Sequence, residues 1–204
     1  MTERIRVPKA NTAVLCVDMQ NGMCDPKGSH ARLGLDISGL VAVIEPCRQL
    51  IAAARRNGVS VIYARLAYAP NYSNGGYIVH ELMPRIKEAQ VCVKGSWDAE
   101  IFPALAPEPG DLVIDKTRKS AFLRTSLESD LRHRGIETLV VCGVTTNVCI
   151  ESTVRDAAQL DFRTFVVKDA VGEVDPARHA ASLVAMSWLF GRLVSLNDVL
   201  GDWR

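Results

Sequence analysis

The sequence predicts an α/β protein of three layers, an αβα domain whose parallel β-sheet is covered by helices on both faces. Short apolar segments rich in β-branched residues alternate along the chain with longer segments of helical periodicity. The apolar segments show little alternation with polar residues, as expected of strands buried on both faces of a parallel sheet. No linker or internal repeat interrupts this pattern, so we expect one domain over residues 1–204.

The elements follow in order from the same patterns. Six segments are predicted to be strands: 12–19, 59–66, 111–116, 138–144, 164–171 and 192–197. Four segments are predicted to be helices: 45–58, 126–135, 149–161 and 176–191. Thr125 with Glu128 fits an N-terminal capping box, and Asp175 before a proline fits an N-cap. The long region 67–110 is predicted to form a lid or a pocket wall, as long loops in compact domains usually do.

The composition excludes two classes of partner. The 204 residues are 48% hydrophobic and carry 24 basic and 23 acidic side chains, for a net charge of +1. That balance gives no electrostatic basis for binding nucleic acid or an anionic membrane. No window approaches the roughly 20 apolar residues of a membrane span, and the N-terminal stretch lacks a signal-peptide segment. We therefore expect a cytoplasmic protein that binds a small molecule.

One of the six cysteines lies in a setting that indicates chemistry. The cysteines form no C-x-x-C pair, and Cys16 and Cys142 lie inside strand-like segments as small buried residues. Cys149 instead follows a predicted strand within "GVTTNVCIEST", a run of small hydroxylated residues at the start of a predicted helix. This position predicts a reactive thiol.

Asp18, Lys116 and Cys149 each follow a different predicted strand. Because ligands of open parallel sheets bind beyond the carboxyl ends of the strands, we expect these side chains to converge there. A helix N-terminus and a lysine would favour the thiolate, and the aspartate would accept the proton. Backbone N–H groups of the turn before Cys149 would hold an oxyanion, and the small Thr145 and Thr146 would let a substrate approach them.

Three motifs resemble those of the isochorismatase-like cysteine hydrolases: "CVDMQNGM", "DKTRKSAF" at 115–122 and "GVTTNVCIESTVRDA" at 143–157. They stand in the family's order and spacing, and the resemblance covers nearly the whole chain. It implies a six-stranded parallel sheet and an Asp18–Lys116–Cys149 triad. It also implies a cis peptide between Val144 and Thr145, with the N–H groups of Thr145 and Cys149 as the oxyanion hole.

The resemblance also implies a reaction class, because members that keep the cysteine are mostly amidohydrolases. Cys149 would attack a carbonyl carbon, Asp18 would serve as base and then as acid, and Lys116 would orient Asp18. Ureidoacrylate-, N-carbamoyl-, biuret-type and cyclic amide substrates are expected. Two alternatives stay open at this point: a vinyl-ether hydrolase of the isochorismatase type, and a catalytically silent binding or scaffold protein.

Substrate contacts, metal use and assembly complete the predictions. Six residues are predicted to contact the substrate: Gln20, Arg65, Tyr68, Trp97, Arg118 and Thr146. For Arg65 and Arg118, which would bind a carboxylate, the alternative is a surface or subunit-contact role. For Tyr68 and Trp97 the alternative is aromatic packing of the long loop on the domain. No metal or other cofactor is expected, since the Asp-x-His motif of nicotinamidases is absent and no histidine shows ligand spacing. Oligomers are common among the relatives, so a homodimer or homotetramer is expected.

Overall fold

The computed structural model describes residues 6–204. Residues 1–5, part of the N-terminal stretch discussed above for a signal peptide, lie outside the described residues. The centre of the structure is a six-stranded sheet with the order β3-β2-β1-β4-β5-β6. Every neighbouring pair is parallel, which confirms the predicted fold class. The strands are β1 (Thr12–Val17), β2 (Ser60–Leu66), β3 (Leu112–Lys116), β4 (Thr138–Val144), β5 (Arg163–Gly172) and β6 (Arg192–Val194).

Helices cover both faces of the sheet. They are α1 (Asn21–Cys24), α2 (Ser29–Arg32), α3 (Ser38–Val41), α4 (Ile44–Arg56), α5 (Arg85–Glu88), α6 (Leu127–His133), α7 (Glu151–Gln159), α8 (Pro176–Leu189) and α9 (Leu196–Asp202). Two π-helical turns (Ile78–Leu82 and Thr146–Ile150) and two 3₁₀ turns (Trp97–Ala99 and Pro103–Leu105) complete the regular structure of the described residues. None of the helices within 6–204 is long and apolar enough to cross a membrane.

The strand β1 shows why the sheet is buried on both sides. Its side chains are all apolar apart from Thr12, and successive residues point to opposite faces. Leu15 and Val17 pack with residues of α6, α7 and α8, whereas Val14 and Cys16 pack with residues of α4 and α9. Two apolar cores therefore sandwich the sheet, and only its edges are open to a ligand.

The direction in which successive strands are added to the sheet reverses between β1 and β4. The sheet grows outward from β1 in one direction and from β4 in the other, as in doubly wound folds. The chain leaves β1 for the layer that contains α4 and leaves β4 for the layer that contains α7, so the two connections diverge. Doubly wound folds form a crevice where such connections diverge. This crevice is the place where such folds bind their ligands.

Most predicted element ends differ from the observed ones by one or two residues, and the end of β6 differs by three. β6 is shorter than expected because Ser195 caps α9, its side chain accepting the backbone N–H of Asp198. The predicted capping box of Thr125 and Glu128 is wrong. The Thr125 hydroxyl instead donates to the carbonyl of Ala121 at 2.6 Å and accepts the backbone N–H two residues later. The predicted N-cap at Asp175 is confirmed, because its carboxylate accepts the backbone N–H three residues further on.

Candidate active site

The three residues predicted from separate strands lie in contact at the carboxyl edge of the sheet. The ammonium nitrogen of Lys116 is 2.7 Å from a carboxylate oxygen of Asp18 and 3.5 Å from the sulfur of Cys149. Asp18 follows β1, Lys116 ends β3, and Cys149 follows β4. Asp18 and Cys149 therefore flank the crevice where the strand order reverses, and all three residues are at most 4% exposed.

Asp18 is held by the backbone of β2 as well as by Lys116. The backbone of Asp18 is no longer extended as in β1, since its φ is near +53°. The N–H of Asp18 donates to the carbonyl of Ala64 at 2.8 Å. One carboxylate oxygen accepts the N–H of Leu66 at 3.0 Å, and the other accepts the Lys116 ammonium. Both oxygens are thus oriented by neighbours that come from other strands.

Lys116 is buried in the centre of the site, where an ammonium needs several partners. Besides Asp18 and Cys149, its nitrogen reaches the backbone carbonyls of Arg118 and Lys119, both at 3.2 Å. Burial by itself lowers the pKa of Lys116, but the nearby Asp18 and Cys149 outweigh it, and the pKa is raised. The side chain is therefore a fixed positive charge between the carboxylate and the thiol.

Cys149 is the fourth residue of the π-helical turn and precedes α7, so it does not open the α-helix as predicted. Thr153 donates its hydroxyl to the carbonyl of Cys149 at 2.6 Å and accepts the N–H of Ala121 at 3.0 Å. The peptide between Val144 and Thr145 is cis. Single π-helical turns are frequent at functional sites, and this turn carries the sulfur of Cys149 that contacts Lys116.

The proton on Cys149 is held more tightly than the sequence suggested. Burial raises the pKa of the thiol, Asp18 raises it further, and Lys116 and Lys119 offset only part, leaving the pKa at about 11. Lys116 favours the thiolate, as expected, but burial and Asp18 outweigh it. At neutral pH Cys149 is a thiol beside an ion pair.

The turn that carries Cys149 is anchored by β5 and α8. The buried Thr146 hydroxyl donates to the carbonyl of Gly172 at 2.9 Å and lies 2.9 Å from a ring nitrogen of His179. Ser182 donates to the carbonyl of Thr146 at 3.2 Å, and the N–H of Asn147 donates to the Glu173 carboxylate at 3.2 Å. Thr146, predicted as a substrate contact, directs its hydroxyl to this anchor.

The polar groups of three other predicted substrate contacts are engaged within the protein. The Gln20 amide nitrogen donates to the carbonyls of Leu66 and Ala99, both at 2.8 Å, and its oxygen accepts the Leu66 N–H. Arg65 is paired with Asp115 at 2.7 Å. Arg118 donates to the carbonyl of the residue before it and to a carbonyl of the lid region at 2.8 Å.

Tyr68 and Trp97 take different positions. Tyr68 is buried, it follows β2 at the carboxyl edge of the sheet, and its ring centre is 5.5 Å from that of Tyr72. Trp97 is 44% exposed, and its backbone carbonyl accepts the side-chain amide of Asn21 at 2.9 Å. Tyr68 therefore lies at the edge of the sheet that carries the triad, whereas Trp97 lies at the surface near α1.

Sequence reasoning missed Glu173 and Thr153, although both carried a signal. Glu173 directly follows β5, so it is a polar residue at the same carboxyl edge of the sheet as the other candidates. Thr153 lies four residues after Cys149, one helical turn further on. Their positions were readable, but their hydrogen bonds with the turn needed the folded chain.

Within residues 6–204, no group of three or more His, Cys, Asp or Glu side chains is arranged to hold a metal ion. A surface cavity of about 700 Å³ lies at the opposite, amino-terminal edge of the sheet. Residues that begin β5 and β6, such as Arg163 and Arg192, line it. It is remote from the triad and is not the candidate active site.

A buried thiol, a carboxylate and an ammonium at the crevice of a doubly wound sheet define a cysteine hydrolase of the α/β class. The sequence matches the isochorismatase domain model over residues 12–198. The chain belongs to the isochorismatase family and is an amidohydrolase of that fold.

Relatives and solved structures agree with this class. The ureidoacrylate amidohydrolase of Methylobacterium radiotolerans is 38% identical over 93% of this chain and 78% of its own length. A cysteine hydrolase from Pseudomonas syringae pv. phaseolicola has a TM-score of 0.88 at 30% identity, over 100% of this chain and 98% of that one. The N-carbamoylsarcosine amidase of Thermoplasma acidophilum has a TM-score of 0.74 at 26% identity, over 91% and 96% of the two chains.

Proposed function

We propose that the protein is a metal-independent cysteine amidohydrolase that cleaves a C–N bond of a small ureido or carbamoyl compound. The observation that carries this proposal is the contact of the Lys116 ammonium with both Asp18 and Cys149, at 2.7 and 3.5 Å. The names of the relatives support the substrate class, since ureidoacrylate and N-carbamoylsarcosine both carry a carbamoyl group on nitrogen.

In the first half of the reaction, the sulfur of Cys149 attacks the carbonyl carbon and its proton passes to Asp18. The transfer accompanies the attack because the thiol, with a pKa of about 11, is protonated at rest. The N–H groups of Thr145 and Cys149 receive the developing oxyanion. Asp18 then gives its proton to the leaving nitrogen, the C–N bond breaks, and ammonia or an amine departs.

In the second half, water attacks the thioester or thiocarbamate on Cys149. Asp18, now unprotonated, takes a proton from this water, and the C–S bond breaks as the sulfur regains a proton. Lys116 keeps its charge throughout, since its raised pKa opposes proton loss. Its role is to orient Asp18 and to stabilise the negative charge that appears on the sulfur and the substrate.

The test is the release of ammonia or amine from a panel of ureido acids, N-carbamoyl amino acids and biuret, with chelator present. We expect chelator-resistant hydrolysis of one class by the wild type and its loss in Cys149→Ala by at least about 10³-fold. Cys16→Ala is the matched control, because this buried cysteine lies in β1 away from the catalytic turn.

Other outcomes identify the alternatives. Activity that is lost with chelator rejects the metal-independent mechanism. Hydrolysis of a vinyl ether that survives Cys149→Ala identifies an isochorismatase-type hydrolase. A silent panel together with an inert Cys149 identifies a scaffold protein. A cytoplasmic location and a homo-oligomeric state stay predictions.

A further inference from the structure

The residues directly after β3 hold the ammonium of Lys116 through their backbone. We call residues 117–121 the bracket segment. The Lys116 ammonium donates to the carbonyls of Arg118 and Lys119, both at 3.2 Å. The same ammonium is 3.5 Å from the sulfur of Cys149. The bracket segment therefore fixes the positive charge that faces the sulfur.

The bracket segment also reaches the backbone of Cys149, through the hydroxyl of Thr153. The N–H of Ala121, the last residue of the segment, donates to that hydroxyl at 3.0 Å. The hydroxyl in turn donates its proton to the carbonyl of Cys149 at 2.6 Å. Thr153 and Ala121 are both 0% exposed, so bulk water does not replace either bond. The lysine and the cysteine of the triad are thus bonded to one short stretch of chain.

Thr153 is also close to Cys149 along the helix. It lies in the first turn of α7, four residues after Cys149. A threonine hydroxyl that bonds to the carbonyl four residues earlier often bends a helix. The N–H of Ala121 bonds to the same oxygen and ties this turn to the bracket segment. Hydrogen bonds from residues 117–121 therefore lie on both sides of the contact between the Lys116 nitrogen and the Cys149 sulfur.

The buried Thr164 shows a different use of a threonine hydroxyl. It lies near the start of β5, and its hydroxyl donates to the carbonyl of Phe162, two residues earlier, at 3.1 Å. The bond between Ala121 and Thr153 instead joins residues 32 positions apart in the sequence. A bond between distant segments restricts their separation, whereas a bond between near neighbours leaves it unchanged.

We propose that Thr153 is a positioning residue, which holds the sulfur of Cys149 at its distance from the Lys116 ammonium. This inference rests on the proposed function, in which Cys149 is the nucleophile and Lys116 stabilises negative charge on the sulfur. The attraction between an ammonium and a forming thiolate weakens as their separation grows. Thr153 acts through Cys149 and does not touch the substrate, because its side chain is buried and its hydroxyl is bonded on two sides.

The first test is Thr153→Val, which removes the hydroxyl and keeps the branched shape of the side chain. The rates of hydrolysis are measured with 3-ureidopropionate over a range of concentrations. We expect kcat to fall by about 10- to 100-fold and KM to change by less than about twofold, because the sulfur is misplaced while the substrate contacts are intact. Thr153→Ser, which keeps the hydroxyl, should restore most of kcat. Thr164→Val, the same substitution at a threonine 5% exposed, is the matched control and should change neither constant.

A second test needs no turnover and measures whether Thr153 acts through Lys116. The rate of Cys149 alkylation by iodoacetamide at pH 8 is followed by peptide mass spectrometry in the wild type, Thr153→Val, Lys116→Gln and the double variant. Lys116 lowers the pKa of the thiol, so we expect Thr153→Val alone to slow alkylation by about tenfold. In the Lys116→Gln background the same change should alter the rate by less than about twofold, because no ammonium is left to misplace.

Further variants keep this test independent of stability. Circular dichroism establishes that each variant is folded. Thr153→Ala is a second variant without the hydroxyl, and Lys116→Met is a second variant without the ammonium. Unchanged or faster alkylation without the Thr153 hydroxyl would mean that Thr153 supports only the fold, and the positioning role would be wrong. Equal slowing with and without the Lys116 ammonium would lead to the same conclusion.

The two tests separate this inference from the proposed function. Silence of the whole substrate panel, together with a Lys116-dependent effect of Thr153→Val on alkylation, would reject the proposed hydrolysis and keep the positioning role. Hydrolysis that requires Cys149 but has an unchanged kcat in Thr153→Val and Thr153→Ala would keep the amidohydrolase and overturn the positioning role. A raised KM with an unchanged kcat would also overturn it, because the effect would then be on binding.

Discussion

Cys149 lies where burial and a neighbouring carboxylate both keep the proton on its sulfur. The ammonium of Lys116 is within 3.5 Å of that sulfur, yet the pKa of the thiol is still raised to about 11. In the proposed mechanism Asp18 therefore has two opposing effects on Cys149, since it disfavours the resting thiolate and would also take the proton during attack. In that mechanism the thiolate forms only as the sulfur attacks the carbonyl carbon.

The pH dependence of Cys149 alkylation follows from this balance. Below a pKa of about 11 the thiolate fraction grows about tenfold per pH unit, so the rate with iodoacetamide should rise steadily from pH 7 to 10. Peptide mass spectrometry measures the rate. A plateau that begins near pH 8 would show that burial and Asp18 do not hold the proton.

Asp18→Asn separates the two effects of the carboxylate. Removal of the negative charge lowers the pKa of Cys149, so alkylation at pH 7 should become faster than in the wild type. Hydrolysis should fall by about 10²- to 10⁴-fold, because the base and acid are lost. Slower alkylation combined with slower hydrolysis would contradict this assignment and indicate a disordered site.

The strand β4 and the turn after it position the sulfur of Cys149. β4 and β5 change register between Val141 and Gly143, just before the cis peptide and the π-helical turn. Gly143 has φ near +118°, and a Cβ placed there would be 2.0 Å from the carbonyl oxygen of Val17 in β1. Only a glycine permits this close approach of the two strands that carry Asp18 and Cys149.

Gly143→Ala should therefore destabilise the protein and misplace the turn. We expect a loss of at least about 3 kcal/mol in the free energy of unfolding, from steric overlap with backbone added to the unfavourable φ. Gly110→Ala is the matched control, since φ is near +102° there and nothing lies within 4 Å of the added carbon. Urea unfolding gives both values, and equal losses would mean that the overlap with Val17 is relieved.

The outer face of α8 carries a conspicuous apolar stretch. α8 buries Ser182 and Met186, while Val184, Trp188 and Leu189 are 71%, 85% and 74% exposed. Large exposed aromatic and aliphatic side chains in contiguous positions commonly mark an interaction surface. The same helix anchors the catalytic turn through His179 and Ser182, so its outer face is close to the element that holds Cys149.

We expect the protein to form a homodimer or homotetramer in which this face of α8 is covered. Light scattering of the wild type should give more than one chain mass, and Trp188→Asp should lower it. Tyr77→Asp, at a side chain exposed to 63% in the lid region, is the control for a new surface charge. A single-chain mass for the wild type would reject the expectation.

The order of the six strands and of α4, α6, α7 and α8, the parallel sheet and the position of the triad followed from the sequence because each depends on local pattern. The helices α1, α2, α3, α5 and α9 were not predicted. Strands buried on both faces must be apolar along their whole length, and a parallel sheet must bring its carboxyl ends to one edge. Asp18, Lys116 and Cys149 each lie at the end of such a strand, so the sequence predicts that they share one edge of the sheet. Their contact depends on the strand order β3-β2-β1-β4, which the folded sheet shows.

Only the tertiary structure decided which charges are free and where the proton on Cys149 resides. Arg65 finds its partner Asp115 50 residues away, and Lys119 finds none among the described residues, although all three are ordinary polar residues in the sequence. The pKa of Cys149 likewise depends on burial and on Asp18, a residue that follows a different strand. Charge pairing and desolvation depend on neighbours distant in the chain, and folding alone brings those neighbours together.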